Sequence, residues 1–335
     1  MAVWLHEMTR PAFEEYLRAE PKPVALLPLG AIEQHGPHLP LGMDILAARH
    51  LTELTARKAN AFGVLTTLAA YSPHHMGFKG TITLRAETLA AYLDDVIGSL
   101  ARHGVRRIMI LNAHGGNEEI AAQVARTAAS RHGVMVAKPR TRAAAPAPEA
   151  TADLDIHAGR SETAAMLAVA PELVEGWRLE GYAPAEALPA DVRELLDEKR
   201  PDAFLAQQVA MLHLYLHDTH EHTTSGVFGY RDPREATAAD GQRHFEALSA
   251  EYAEFIRIWR TVRLAGEEWR RIPFGGAPHG PAEAAAVAAG SRRRHFRLRR
   301  PARAHLQALD HLTGVRRGPP CVGLVPGLAR RAAGR

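Results

Sequence analysis

One cysteine, Cys321, stands in a chain of 335 residues. That scarcity excludes an internal disulfide framework and a cysteine-built zinc site. No apolar run is long enough to span a bilayer. The opening stretch, MAVWLHEMTRPAFEEYL, carries acids early and lacks the basic segment and apolar run of a secretory leader, so a cytoplasmic location is expected. Several catalytic signatures are missing as well: no GxSxG elbow, no HExxH, no phosphate-binding P-loop, no PCxxC and no GxGxxG. Serine-elbow hydrolysis, zincin chemistry, P-loop nucleotide binding, zinc deamination and the dinucleotide fingerprint are thereby set aside.

Positive charge is unevenly spread. Residues 280–335 hold twelve arginines, no lysine and two acids (Glu283 and Asp310), so the net charge of +4 leaves the body of the chain mildly acidic. A basic tail suits nucleic acid or a membrane surface. This one has few aromatics and no nucleic-acid motif, and its Ala/Arg/Gly/Pro-heavy makeup suits disorder or an out-of-frame read-through of a GC-rich gene. Nucleic acid is therefore expected as a partner only through the tail, if at all. The chain divides on this basis into residues 1–265, with apolar content enough for a full core, and the tail 266–335.

Within the body, residues 23–30 (PVALLPLG) read as a short buried strand. Residues 45–61 have helical apolar spacing, with Asp44 placed to cap them. A strand is expected over 63–70, then the loop YSPHHMGFKGT, then a helix over 86–103 with Leu89, Leu93, Val96, Ile97 and Leu100 on one face. VRRIMILNAHGGN gives a buried strand and a small-residue turn, followed by a helix from Glu118 to His132 and a strand in VMVAKPR. Residues 139–153 read as a loop, 161–170 as a helix, 184–217 as peripheral helices and 235–262 as a long closing helix. The alternation predicts an α/β fold with a mostly parallel sheet covered on both faces. Ligand-binding groups in such sheets gather beyond the carboxyl ends of the strands.

What is plentiful is carboxylate and imidazole at those ends. The stretch LLPLGAIEQHGPHLPLGMD brings Glu33, His35, His38 and Asp44 close together in sequence. Glu33 and His35, two apart in extended chain, point the same way. Burying several such groups without a cation is costly, so the cluster points to a divalent metal, with Asp44 able to bridge two. The alternative for Asp44 alone is a helix cap. His114 follows the strand RRIMILNA, and Gly115 and Gly116 behind it permit close backbone approach to a ligand. Asn112 and Asn117 flank it as hydrogen-bond partners, to fix His114 or to donate to a developing oxyanion. In DIHAGRSET, His157 and Glu162 flank a turn, Ser161 is placed to cap a helix, and Glu162 either ligates or answers that helix's dipole. The histidines of HLYLHDTHEH (213–222) read as solvated or interface residues.

EQHGPHLPLGMD, NAHGGN and HAGRSET, in that order and supported by SPHHMGFKGTITL and SGVFGYRDPREATAADG, resemble the creatininase family of metal-dependent amidohydrolases over about residues 20–262. The resemblance implies a three-layer α/β/α fold and two divalent metal ions, zinc with manganese or iron, in a homo-oligomer that is often a hexamer. It assigns Glu33, His35, Asp44 and His114 as metal ligands, Asp44 bridging, and His157 as the proton-transfer residue. Creatininase itself has a Tyr-Glu pair after the third-motif histidine, the glutamate being a ligand. Here Gly115-Gly116 stands instead, which resembles the HGGN branch and makes Glu162 the remaining ligand. His75, Thr81 and Gly115 are the expected substrate contacts, and Lys79 an exposed loop lysine. His38 is expected to be structural or to support the ligands by hydrogen bonding.

The implied activity is hydrolysis of an amide C–N bond in a small cyclic amide or formamide. The missing tyrosine, and the lack of tryptophan near His157, count against creatinine. The same branch includes a formamide deformylase and a peptide-trimming enzyme of mycofactocin maturation. Two alternatives therefore stand beside the small-amide reading: a metallopeptidase acting on a small peptide, and a metal-binding protein without turnover.

Overall fold

Every residue of the VALLPL run is buried, because the strand it forms is covered on both faces. In β1 (Val24–Leu29), Ala25, Leu27 and Leu29 point to one side. There they meet α3 (Ala86–Arg102) and α4 (Glu118–His132) through Leu89, Leu93, Ile97, Ala121 and Val124. Val24 and Leu26 point to the other, toward Ala56 and Ala59 of α2 (Met43–Ala59) and Ile256 and Trp259 of α6 (Ala238–Trp259). Each large apolar side chain so buried stabilises the fold by about 1.5–3 kcal/mol. The result is three layers, helices on both faces of a sheet. The computed structural model describes residues 2–66, 69–139, 155–183, 208–209, 212 and 217–262.

The sheet is parallel, in the order β2-β1-β3-β4, with β2 (Phe62–Gly63), β3 (Arg107–Asn112) and β4 (Met135–Ala137) beside β1. Its register sets Leu29 opposite Asn112. The loop carrying Glu33 and the turn carrying His114 therefore leave neighbouring strands at the same end. A separate antiparallel pair, β5 (Asp155–His157) and β6 (Phe228–Gly229), delivers His157. It leads into α5 (Arg160–Val169), whose Ala165 and Met166 pack with Met43, Ala47 and Leu51 of α2 and with Phe245 and Leu248 of α6. That packing sets the first turn of α5, with Glu162, beside the first turn of α2, with Asp44.

Three local expectations are corrected. Among the described residues of the strand expected over 63–70, only Gly63 lies in β2 (Phe62–Gly63), paired with β1 on one side and bridged to Trp4 on the other, and the Val64 N–H still donates to the Leu26 carbonyl. Asp44 does not cap α2: the helix begins at Met43, Gly42 occupies the cap position, and the Asp44 carboxylate turns into the protein. Ser161 is no cap either. Gly159 precedes α5, and the Ser161 N–H donates to Asp155 Oδ2 at 2.7 Å. Most of 139–153 and 184–217, and all of 266–335, lie outside the described residues.

Candidate metal centre

Glycine at position 30 is what brings Asp44 to the end of β1. A Cβ there would meet the Asp44 carbonyl carbon and the Ile45 nitrogen at 2.6 Å, so the first turn of α2 lies directly on the strand end. Beyond Gly30 the chain is held by the Glu33 N–H donating to the Leu41 carbonyl (2.9 Å) and the Ile82 N–H donating to the Ile32 carbonyl (2.9 Å). This fixes Glu33 and His35 facing Asp44. Glu33 and Asp44 are 1% exposed and His35 is fully buried.

The acids and imidazoles converge on one small space. His114 Nδ1 lies 3.1 Å from Glu33 Oε1 and 3.2 Å from Asp44 Oδ2. His35 Nε2 lies 3.3 Å from Asp44 Oδ1, 3.8 Å from Glu162 Oε2 and 3.9 Å from Glu33 Oε1. Asp44 thus turns one oxygen toward Glu33 and His114, and the other toward His35 and Glu162. The five residues singled out from sequence as metal ligands are together.

Each histidine has one nitrogen committed to a backbone carbonyl. His35 Nδ1 donates to the Glu33 carbonyl (3.1 Å) and His114 Nε2 to that of Tyr71 (2.9 Å). The carbonyls fix the tautomer and leave the other nitrogen of each ring aimed at the carboxylates. His157 is set likewise: Nε2 donates to the Gln34 carbonyl (2.7 Å), and Nδ1 faces inward, 3.8 Å from Glu33 Oε1.

Charge shows what the space wants. Burial alone would lower the His35 pKa, but Asp44, Glu162 and Glu33 outweigh it and hold the ring protonated, up to about 10. His114 is raised likewise against burial by Asp44 and Glu33. Asp44 is pushed up by burial and, more strongly, down by His35 and His114. Burial raises Glu162 to about 7. His157, by burial and then by the neighbouring His35, falls to about 3 and is neutral. Even with those protons, Glu33 Oε2, Asp44 Oδ2 and His35 Nε2 are buried without a well-formed hydrogen bond. Orphaned carboxylate oxygens and an imidazole nitrogen facing one space fit divalent cations, and Glu33, His35 and Asp44 form one group whose donor atoms lie within 4.8 Å of one another. Cations would take the place of the two histidine protons.

The surrounding residues divide by what they touch. Asn112 clasps the His114 backbone, its amide donating to the His114 carbonyl (2.7 Å) and accepting from its N–H (3.3 Å). Fully buried Asn117 donates to the Gly30 carbonyl (3.1 Å) and to Asn112 Oδ1 (3.3 Å), and accepts the Tyr71 N–H (3.1 Å). Its amide is spent on joining strand ends, not offered to an oxyanion. Thr81 Oγ1 accepts the Gln34 N–H (3.1 Å), and Gly115, next to His114 in the chain, is exposed. His38 lies outside the cluster and donates from Nε2 to Thr163 Oγ1 (2.8 Å). Lys79 is exposed.

His75 shows a network that local sequence reading missed. The Gln34 amide is oriented by the Gly36 N–H on its oxygen (3.0 Å) and the Gly226 carbonyl on its nitrogen (3.1 Å). Its second N–H points at His75 Nδ1 (3.0 Å), and Thr219 Oγ1 reaches the same atom (2.8 Å). His75 Nε2 faces Glu33 Oε1 at 3.6 Å. His75 lies close enough to Glu33 and His157 to form a ligand group by distance. Thr219 and Asp218, from the run read as solvated, pin this loop: the Asp218 carboxylate accepts the Gly77 N–H at 2.6 Å. Histidine pairs in a Pro/Gly loop were the available signal for His74 and His75; Gln34 and Thr219 had none.

Comparison with known proteins is consistent with this geometry. The creatininase family model, described as creatinine amidohydrolase, matches residues 6–256. A "Mycofactocin precursor peptide peptidase" of Mycolicibacterium smegmatis is 31% identical over 247 residues, covering 72% of this chain and 87% of the relative. A "Creatinine amidohydrolase" of Pseudomonas putida is 31% identical over 213 residues, 57% of this chain and 81% of the relative. Among solved structures, one titled "Creatininase Mn" superposes with a TM-score of 0.61 at 24% identity, over 78% of this chain and all of that one.

Proposed function

The chain belongs to the creatininase family of metal-dependent hydrolases, and from that premise we propose that it cleaves an amide C–N bond in a small cyclic amide or formamide, using two divalent cations. The observation that carries this reading is the divided Asp44 carboxylate, one oxygen toward His114 and one toward His35. It gives two adjoining half-sites, Glu33 with His114 and His35 with Glu162, that share one acid. Zinc with manganese or iron suits such mixed oxygen and nitrogen donors. Bound there, the cations would polarise the substrate carbonyl and lower the pKa of a water between them.

The chain's own residues supply the rest. His157, neutral and fixed by the Gln34 carbonyl, presents Nδ1 to accept a proton from the attacking water and return it to the departing nitrogen. His75, whose Nε2 faces Glu33, contacts the substrate from the same side. Thr81 and the Gly115 backbone complete the substrate contacts. Asn112 holds His114 in place.

A second reading, trimming of a small peptide, is favoured by the coverage of the mycobacterial peptide peptidase, broader than that of the creatinine amidohydrolase. The test is metal analysis of purified protein, then a panel of formamides, lactams and short C-terminal peptides. Turnover of formamides or lactams supports the first reading and turnover of peptides alone the second; bound metal with no turnover supports a binding protein. A homo-oligomeric state and a cytoplasmic location belong to the same proposal. Among the described residues no helix is long and apolar enough to cross a membrane. Nucleic-acid binding by the tail would show as salt-dependent affinity lost on truncation near residue 280.

A further inference from the structure

One more buried imidazole faces the cluster. His74 is 6% exposed and comes from the turn Pro73–His75. Its ring lies parallel to that of His114, 7° between planes and 5.8 Å between centroids. A His74 nitrogen, a Glu33 carboxylate oxygen and a His114 nitrogen all lie within 4.8 Å of one another. The room for its ring comes from Gly116, where a Cβ would stand 3.1 Å from His74 Cε1 and 2.5 Å from His114 Nε2. The turn is pinned from behind, Thr219 Oγ1 donating to the His74 carbonyl at 2.8 Å and Asp218 holding Gly77.

We propose that His74 is a further protein ligand of one cation, joining Glu33, Asp44 and His114, while the other cation has only His35, Asp44 and Glu162. The inference rests on the two-cation reading and adds an asymmetry to it. The half-site with four protein donors is the closed, tighter one. The half-site with three keeps a position open for water or substrate.

The test is chelator competition and cobalt absorption on the full chain, wild type against His74→Ala and His74→Glu. His74→Ala should weaken the tighter cation by at least the roughly 10–100-fold that loss of an outer partner costs, change the cobalt spectrum, and leave the weaker cation unaltered. His74→Glu, which restores an oxygen donor, should recover much of the affinity, as a purely structural role would not allow. Unchanged affinities and spectrum in His74→Ala would overturn the assignment. If that variant does not fold, anomalous diffraction from metal-loaded wild-type crystals decides. A His74 nitrogen at about 2.0–2.1 Å from the metal supports the assignment, and one beyond about 3 Å overturns it. A wild-type chain that binds no cation would sink the two-cation reading itself; two cations with His74→Ala unaltered would sink only the role of His74.

Discussion

Two buried acids in this protein solve the same problem in opposite ways. Asp94, between α3 and α4, has both oxygens met: Arg131 Nη1 at 2.6 Å and His132 Nε2 at 3.1 Å. It brings its counter-charges with it, and the pair serves only to join two helices. Asp44 shares its space with Glu33 and Glu162 and meets two histidines, yet buried atoms of that cluster remain without a well-formed hydrogen bond. An acid placed for folding is balanced by the chain itself. Acids gathered in excess, with imidazoles turned to face them, are balanced from outside.

Removing each acid should separate the two cases most sharply. Asp44→Ala should lose bound metal and reduce turnover by roughly 10⁴-fold, the scale for losing a member of a catalytic unit. Asp94→Ala should keep metal content and turnover, and lower unfolding free energy by about 1–3 kcal/mol, because His132 is left buried without its acid. Metal analysis, steady-state kinetics and urea titration of the two variants check this. Equal metal content in both would remove the contrast.

His157 lies within the acid-rich cluster, yet its proposed work is on protons. His157→Ala should retain metal and lose turnover by about 10²–10⁴-fold. Loss of metal in that variant would place His157 among the ligands instead.

Acid should unsettle the metal-free chain through the histidines around the cluster. Burial lowers His38 and His74 to about 4 and His157 to about 3, and lowers His75 as well. These groups bind protons near pH 6.5 when unfolded and not until lower pH when folded. The stability these four groups contribute is therefore full above about pH 6.5 and falls as pH drops through the window from 6.5 to about 3–4, by roughly 1.4 kcal/mol per pH unit for each proton. His35 and His114, raised by their acids, are protonated in both states there and do not offset the loss, whereas Glu162, raised by burial to about 7, offsets one proton's share of it between pH 7 and about 4.5. Urea unfolding at pH 7 and pH 5 should show a lower midpoint at pH 5; an unchanged midpoint would contradict the burial of these rings as neutral groups.

The smallest effect is geometric. Gly30→Ala should push the first turn of α2 off the end of β1, costing about 1–3 kcal/mol. Metal affinity should fall as Asp44 is displaced, with its ligating groups intact. Affinity equal to wild type would show that Gly30 does not set the position of Asp44.

Much of the fold was legible because its signals are local. The helix from Glu118 to His132 was bounded to the residue after its small-residue turn, and β1 to within one residue at each end by its Pro and Gly borders. The strand after Ala61 was not, since an apolar run cannot say whether the sheet continues to hold it. Asp44 shows the limit differently. Its place before a helical pattern suggested a cap, but packing against Gly30 starts the helix a residue earlier and turns the carboxylate inward. Glu33, His35, His114, His157 and Glu162 were visible as a dense pattern of ligand types. Gln34 and Thr219, which orient His75, were not, because their contacts join residues more than forty and more than a hundred positions apart.

The central claim is that the shared Asp44 carboxylate holds two cations. Counting metal ions per purified chain by plasma mass spectrometry, in wild type and in Asp44→Ala, tests it most directly. Two per wild-type chain and none retained by the variant is the expected result. Full metal content in the variant, or none in wild type, would contradict it.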